Sequence, residues 1–428
     1  MFEKYESNVR SYCRSFPSVF STAEKEYICD IEGKSYLDFL AGAGTLNYGH
    51  NNPLIKNAVI DYLKRDGIVH SLDLHTEAKE DFIASFQKII LEPRELDYKL
   101  QFTGPTGANA VEAALKLARK VTGRTRVVAF TGAFHGMTLG AMSVSAKESA
   151  DGLVAGMEVT RFPFEGFSPD VNLDTLEKLI VHPGGIAKPA AFILETLQCE
   201  GGLNVASNSW LRQLSDIAQR HGILLIVDDI QVGCGRTGPF FSFERAGIKP
   251  DIVCLAKSIG GMGMPMALVL LKPELDIWAP GEHNGTFRGN NLAFVAGEAA
   301  LKLYWSDDKF ETEIKVLSEE MAFGLASLKS DYPDLITDTV GIGLAQGIRL
   351  KHQHHAQLIT KAAFEQGIIV ESCGPYSEVV KLMPPLIVTE STIQKVITIL
   401  HQVIATLPKE AEIGELGAKL EKSDVSLP

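Results

Sequence analysis

Ile223-Leu-Leu-Ile-Val-Asp-Asp-Ile-Gln231 and Asp251-Ile-Val-Cys-Leu-Ala-Lys257 decide the fold between them. Each is a short apolar run bounded by turn residues, as suits a fully buried strand of a parallel sheet. The first run delivers a carboxylate, Asp228. The second delivers an amine, Lys257, just before Ser258-Ile-Gly-Gly261. Ligands of such sheets sit outside the carboxyl ends of the strands.

Working outward, further strands are expected at 126–131, 191–195 and 267–271. A helix fits Ser209 to His221, where Leu211, Leu214 and Ala218 share a face and Gly222 ends it. Alternation of this kind predicts an α/β fold with a mostly parallel sheet covered by helices. Upstream, Pro53 to Arg65 shows helical periodicity, and residues 26–40 read as a hairpin turning at Glu32-Gly33. Downstream of about residue 305 the alternation weakens. Strands are expected at 343–350, 368–372 and 379–388, with an amphipathic helix over 391–407 and a charged tail from Lys409. The chain thus divides into an N-terminal segment (1–50) packing with a small α+β domain (306–428), and a large domain (51–305).

Composition narrows the function. The 428 residues carry 41 Lys and Arg against 53 Asp and Glu, a formal net charge of -12. That balance disfavours nucleic acid and anionic membrane surfaces as partners. No apolar run approaches the roughly 20 residues that span a bilayer. The first residues lack a basic segment followed by an apolar one, so no secretion signal is expected. The six cysteines show no paired spacing, which fits free thiols in a reducing cytoplasm. No metal site is expected near Asp228, and His352, His354 and His355 read as a solvated surface.

The chemistry rests on an acid and an amine at neighbouring strand ends. Pyridoxal phosphate requires a lysine for its aldehyde and an acidic partner for its ring nitrogen. A phosphate site fits Phe102-Thr-Gly-Pro-Thr-Gly-Ala-Asn109, a glycine-bearing turn leading into a strong helix. The dipole and free N–H groups of a helix start favour an anion. Gly107 and Ala108 would donate backbone hydrogen bonds there, and Thr106 a hydroxyl. An ordinary N-capped helix would carry the same residues. In Phe130-Thr-Gly-Ala-Phe-His-Gly-Met137, Phe134 could stack on a planar ring. His135 fits a structural hydrogen bond to its loop better than a catalytic base.

Taken together, these segments resemble the class III, fold-type I aminotransferases over nearly the whole chain. The matching pieces run in order through Ala41-Gly42, Gly49-His50, Thr106-Gly-Ala108, Phe134-His-Gly136, residues 195–202, Asp228-Asp-Ile-Gln231, Gly235-Arg-Thr-Gly238, Lys257 and Thr286-Phe-Arg-Gly-Asn290. The resemblance implies pyridoxal phosphate held by Lys257, with Asp228 on the pyridinium nitrogen and Gln231 by the phenolic oxygen. It implies Phe134 and His135 at the ring, Thr106, Gly107 and Ala108 at the phosphate, and Thr286 supplied by a neighbouring subunit, hence a homodimer or higher assembly. Glu200 matches the family's gating glutamate, which governs which carboxylate enters. Amino acids and a 2-oxo acid would be the substrates, in a ping-pong reaction.

Residues 12–17, 41–53, 134–140 and 281–291 resemble, within the class, the subgroup that moves the amino group of glutamate onto aspartate 4-semialdehyde in ectoine biosynthesis, giving L-2,4-diaminobutyrate. Ornithine, 4-aminobutyrate and other ω-amines remain alternative substrates, and siderophore or antibiotic pathways alternative destinations. The chain departs from the common ω-aminotransferase pattern at two places. Met137 and Lys381 stand where arginine is frequent, and lysine offers a point charge rather than a bidentate fork. Lys381 is one candidate for a substrate carboxylate. Arg288 is another, unless it forms a salt bridge at a dimer interface. Cys199 replaces a frequent glycine and Asp229 a frequent glutamate; Cys199 would narrow the pocket.

Overall fold

The computed structural model describes residues 1–146, 157–168 and 171–407. The charged tail from Lys409 lies outside them. A seven-stranded sheet forms the centre. Its order is Lys99–Phe102, Leu268–Leu271, Ile252–Leu255, Leu224–Asp228, Ala191–Leu194, Val127–Phe130 and Val159–Phe162. Four inner strands, 127–130, 191–194, 252–255 and 268–271, are buried at every position. Helices cover both faces, so no position alternates outward.

Six strands run parallel. Leu268–Leu271 runs antiparallel to both neighbours, with Leu271 opposite Ile252 on one side and Lys99 on the other. A strand buried on both faces reads alike in either direction, so the apolar run predicted the strand but not its polarity. The edge strands Lys99–Phe102 and Val159–Phe162 were not expected, because Lys99, Gln101, Thr160 and Arg161 interrupt their apolar pattern.

Helix Asn208–His221 starts at Ser207, whose hydroxyl accepts the Trp210 N–H, and ends at left-handed Gly222. Helix Gly107–Thr122 buries its apolar face from Ala110 onward and ends at left-handed Gly123. Helix Pro53–Lys64 carries proline in its first turn behind an Asn52 cap.

Two smaller sheets flank the centre. One joins Phe20–Glu24, Tyr27–Asp30 and Ser35–Asp38 to Ile368–Ile369. The other orders Ile336–Ile342, Ala345–Leu350, Val379–Leu382 and Glu371–Cys373. The single strand expected over 368–372 is therefore two strands in two sheets. The strand expected to reach 388 stops at Leu382, since Pro384 and Pro385 carry no N–H for a ladder. Helix Glu390–Ala405 packs Ile393, Val396, Ile397, Leu400, Val403 and Ile404 inward. His355 corrects the reading of a solvated histidine surface. It is buried beside Ala356 and Ile359 on the inner face of helix Gln353–Glu365.

Candidate active site

Four neighbouring parallel strands open on one cavity. The loop after Val127–Phe130 brings Phe134 and His135, the end of Ala191–Leu194 brings Glu195, Leu224–Asp228 ends in Asp228, and Ile252–Leu255 is followed by Lys257. All five residues line a cavity of about 370 Å3, together with Thr106, Gly107, Ala108 and Gln231. That is within the usual range for small-ligand sites, roughly 300–1,000 Å3. The parallel register, with Asp228 beside Cys254, sets acid and amine on the same rim.

Lys257 takes a left-handed φ of 56°, unusual for a side chain with a Cβ. Ser258 stabilises that turn by donating its hydroxyl to Gly44 O at 2.8 Å and accepting the Asn47 N–H. The Lys257 Nζ donates to Ala43 O at 2.8 Å. Ala43 belongs to a run of left-handed residues, Ala41 to Gly44, that turns this carbonyl inward. Burial lowers the pKa of the Lys257 amine below its ordinary value, partly offset by Glu200.

Asp228 is buried. Its Oδ1 accepts the Ile230 N–H at 3.1 Å, and its Oδ2 lies 2.7 Å from His135 Nδ1. The expected loop bond of His135 exists only through its backbone N–H, which donates to Ser145 Oγ at 2.8 Å. The imidazole serves Asp228 instead, because its strand end lies two strands from that of Asp228. The other ring nitrogen, Nε2, is buried with no hydrogen-bond partner among the described residues.

Glu195 was missed by sequence reasoning. It accepts the Phe134 N–H at 2.9 Å and so fixes the loop that carries the ring-stacking candidate. Burial and the nearby Asp228 raise its carboxyl well above the ordinary range. Its position at a strand end in the same sheet was the available signal.

Beyond Gln231 lies a second cluster. Gln231 Nε2 donates to Ala43 O at 3.2 Å and to Glu200 Oε1 at 3.1 Å. Glu200 Oε1 also accepts from Lys381 Nζ at 2.8 Å, and Glu371 Oε1 lies 2.9 Å from the same nitrogen. Burial opposes ionisation of Glu200, but the Lys381 ammonium outweighs it and holds the carboxyl at about 2. Glu371 is the second residue that sequence reasoning missed. It lies directly opposite Lys381 in the antiparallel pair.

Four expected residues stay outside the cavity lining: Glu200 and Lys381 in the second cluster, and Thr286 and Arg288. Thr286 is exposed, and its carbonyl accepts from His70 Nε2 at 2.8 Å. Arg288 lies 3.9 Å from Asp73 and donates to Asn284 Oδ1 at 3.2 Å. Met137 is exposed, and Cys199 is buried without lining the cavity.

The residues present suit a phosphorylated aromatic aldehyde. The cavity meets the N-terminus of the 16-residue helix Gly107–Thr122, whose first N–H groups lack intrahelical partners. Small residues are needed there: a Cβ on Gly107 would fall 2.9 Å from Ile230 Cδ1, and one on Gly136 2.7 Å from the Cβ of Ala108.

The family model for aminotransferase class-III matches residues 11–404. The chain belongs to the class-III aminotransferases. Pyridoxal phosphate is their cofactor, and the acid, amine and anion cradle described above fit it. The chain is 52% identical over 410 residues to the diaminobutyrate–2-oxoglutarate transaminase of Vibrio parahaemolyticus, covering 95% of this chain and 97% of that one. It is 53% identical over 395 residues to the protein of that name from Streptomyces avermitilis, covering 91% and 93%. Among solved structures, the ornithine aminotransferase of Toxoplasma gondii aligns with a TM-score of 0.83 at 24% identity, covering 94% and 93%. The acetylornithine aminotransferase of Elizabethkingia anophelis aligns with a TM-score of 0.78 at 26% identity, covering 95% and 97%.

Proposed function

We propose that this enzyme transfers the amino group of L-glutamate to L-aspartate 4-semialdehyde, forming 2-oxoglutarate and L-2,4-diaminobutyrate, and that it serves ectoine biosynthesis. The observation that carries the reading is the shared cavity rim of Lys257 and Asp228, continued through Gln231 to the Glu200–Lys381 pair. The relatives at about half identity over nearly full length support the choice of substrates.

Bound pyridoxal phosphate supplies an electron sink for negative charge at the carbon bearing the amine. Lys257 would hold its aldehyde, and Thr106, Gly107 and Ala108 its phosphate. Asp228 would hold a proton on the ring nitrogen by ion pairing, and His135 would orient that carboxylate through its 2.7 Å contact. Once displaced, the Lys257 amine would move a proton to and from the amine-bearing carbon. Its lowered pKa favours the neutral base this requires.

Two substrates must share the pocket by turns. Glutamate reacts at its α-amine and brings a distal carboxylate, which suits Lys381 once Glu200 moves aside. Diaminobutyrate reacts at its terminal amine, with Glu200 left on Lys381. Arg288 and Thr286 belong to a proposed homodimer. Exposed Val69, Leu72, Leu74 and Phe287 lie around them, with the Phe287 ring 5.3 Å from His70. The division at 1–50, 51–305 and 306–428, and residence in the cytoplasm, belong to the same proposal. Among the described residues no helix is long and apolar enough to cross a membrane.

A panel of amine donors with 2-oxoglutarate tests the substrate assignment. Glutamate should form from L-2,4-diaminobutyrate in preference to ornithine and 4-aminobutyrate. Turnover of another amine with none on diaminobutyrate would refute it.

A further inference from the structure

The turn that receives the Lys257 amine is strained. Ala41, Gly42, Ala43 and Gly44 take φ values of 47°, 59°, 54° and 82°. The two alanines carry a Cβ, for which the left-handed region is unfavourable. Such a run persists only where its surroundings over-determine it. It delivers carbonyls from two consecutive residues. Ala43 O accepts from Lys257 Nζ at 2.8 Å and from Gln231 Nε2 at 3.2 Å, and Gly44 O accepts from Ser258 Oγ at 2.8 Å. The turn therefore grips the lysine at its tip and the following residue at its hydroxyl.

The restraint comes from Asp38, which is buried at the end of strand Ser35–Asp38, in parallel register with Ile369. Its Oδ1 accepts the Leu40 N–H at 3.0 Å and the Ala41 N–H at 2.8 Å, so one carboxylate oxygen fixes the entry to the turn. Its Oδ2 lies 2.7 Å from His50 Nε2. His50 is itself mounted by paired backbone hydrogen bonds with Lys25, both 2.8 Å. Neither Asp38 nor His50 lines the active-site cavity. They act on it through the turn.

We propose that Asp38, oriented by His50, is a positioning residue for Lys257: it locks the turn 41–44 so that the Ala43 carbonyl holds the amine at the cavity rim. The inference rests on the reading of Lys257 as the cofactor-bearing amine. A carbonyl suits this task better than a carboxylate. It accepts an N–H and leaves the nitrogen lone pair free, with less bias toward the ammonium form than an anion gives. It also removes rotamer freedom from a long side chain before the aldehyde arrives.

Bond formation between apoenzyme and pyridoxal phosphate reads the placement directly: the Lys257 nitrogen bonds the aldehyde carbon, and the aldehyde oxygen leaves as water. Pyridoxamine phosphate has no aldehyde and serves as the control for the phosphate and ring contacts. In Asp38→Ala the rate of bond formation at saturating cofactor, followed by stopped-flow absorbance, should fall about 3- to 10-fold, the value of one hydrogen bond, while the dissociation constant of pyridoxamine phosphate stays within about twofold. Asp38→Asn keeps an oxygen for the two N–H groups and should recover most of the rate. His50→Leu leaves Asp38 in place and should show the same change at smaller size; it decides the matter if Asp38→Ala does not fold. A wild-type rate in the folded variant, or a loss of pyridoxamine phosphate affinity as large as the loss of rate, would refute the positioning role. If Lys257→Ala apoenzyme forms the same bond, the reading of Lys257 fails instead.

Discussion

Replacing Lys381 with methionine should cost stability and dicarboxylate binding together. The side chain is fully buried and pairs with two carboxylates at 2.8 and 2.9 Å. Methionine fills similar space but leaves both acids without their cation. Removing one member of a buried ionic set costs about 3–5 kcal/mol, or roughly two to four decades in the unfolding equilibrium. The opposite partners offer a control. Glu200→Gln and Glu371→Gln added to Lys381→Met remove the stranded charges, and exchanging a whole buried set for neutral groups is often close to neutral. Urea melts of the wild-type, single-variant and triple-variant proteins measure this, with most of the loss recovered in the triple variant. The same single variant should raise KM for 2-oxoglutarate about 10- to 100-fold. A Lys381→Met protein within about 1 kcal/mol of wild type, or one that binds 2-oxoglutarate normally, would refute the pairing.

Other expectations follow from single contacts. Burial raises the Asp229 carboxyl from 3.8 to about 7. The folded protein therefore holds this proton more tightly than the unfolded chain, so the contribution to stability is complete below about pH 4 and is lost as pH rises to about 7. The gap is worth up to about 4 kcal/mol; Asp229→Asn should be more stable than wild type at pH 8 and flatter across that window in pH-dependent melts. His135→Phe removes the 2.7 Å partner of Asp228 and should weaken cofactor binding about tenfold, read by fluorescence titration of apoenzyme. Gly107→Val would drive a side chain into Ile230 at the head of the anion cradle, and should cut affinity for pyridoxal phosphate more than for its unphosphorylated form.

Much of the site was legible because it sits at strand ends. Short apolar runs closed by turn residues located Asp228 and Lys257, and parallel packing explains why they face one cavity. The anion cradle was legible from a glycine turn before a long helix. Glu371 was not, since one acid in a polar three-residue strand gains its meaning only from a register that places Lys381 opposite. His135 illustrates the same limit: its loop was readable, but its partner depends on strand order. The antiparallel direction of Leu268–Leu271 and the edge strands were lost because burial and interruption mask direction and pattern.

In the proposed reaction Lys257 is the amine that carries the cofactor. Borohydride reduction of the holoenzyme, followed by peptide mass mapping, should place the pyridoxyl group on the peptide containing Lys257. A pyridoxyl group on a different lysine, with Lys257 unmodified, would contradict it.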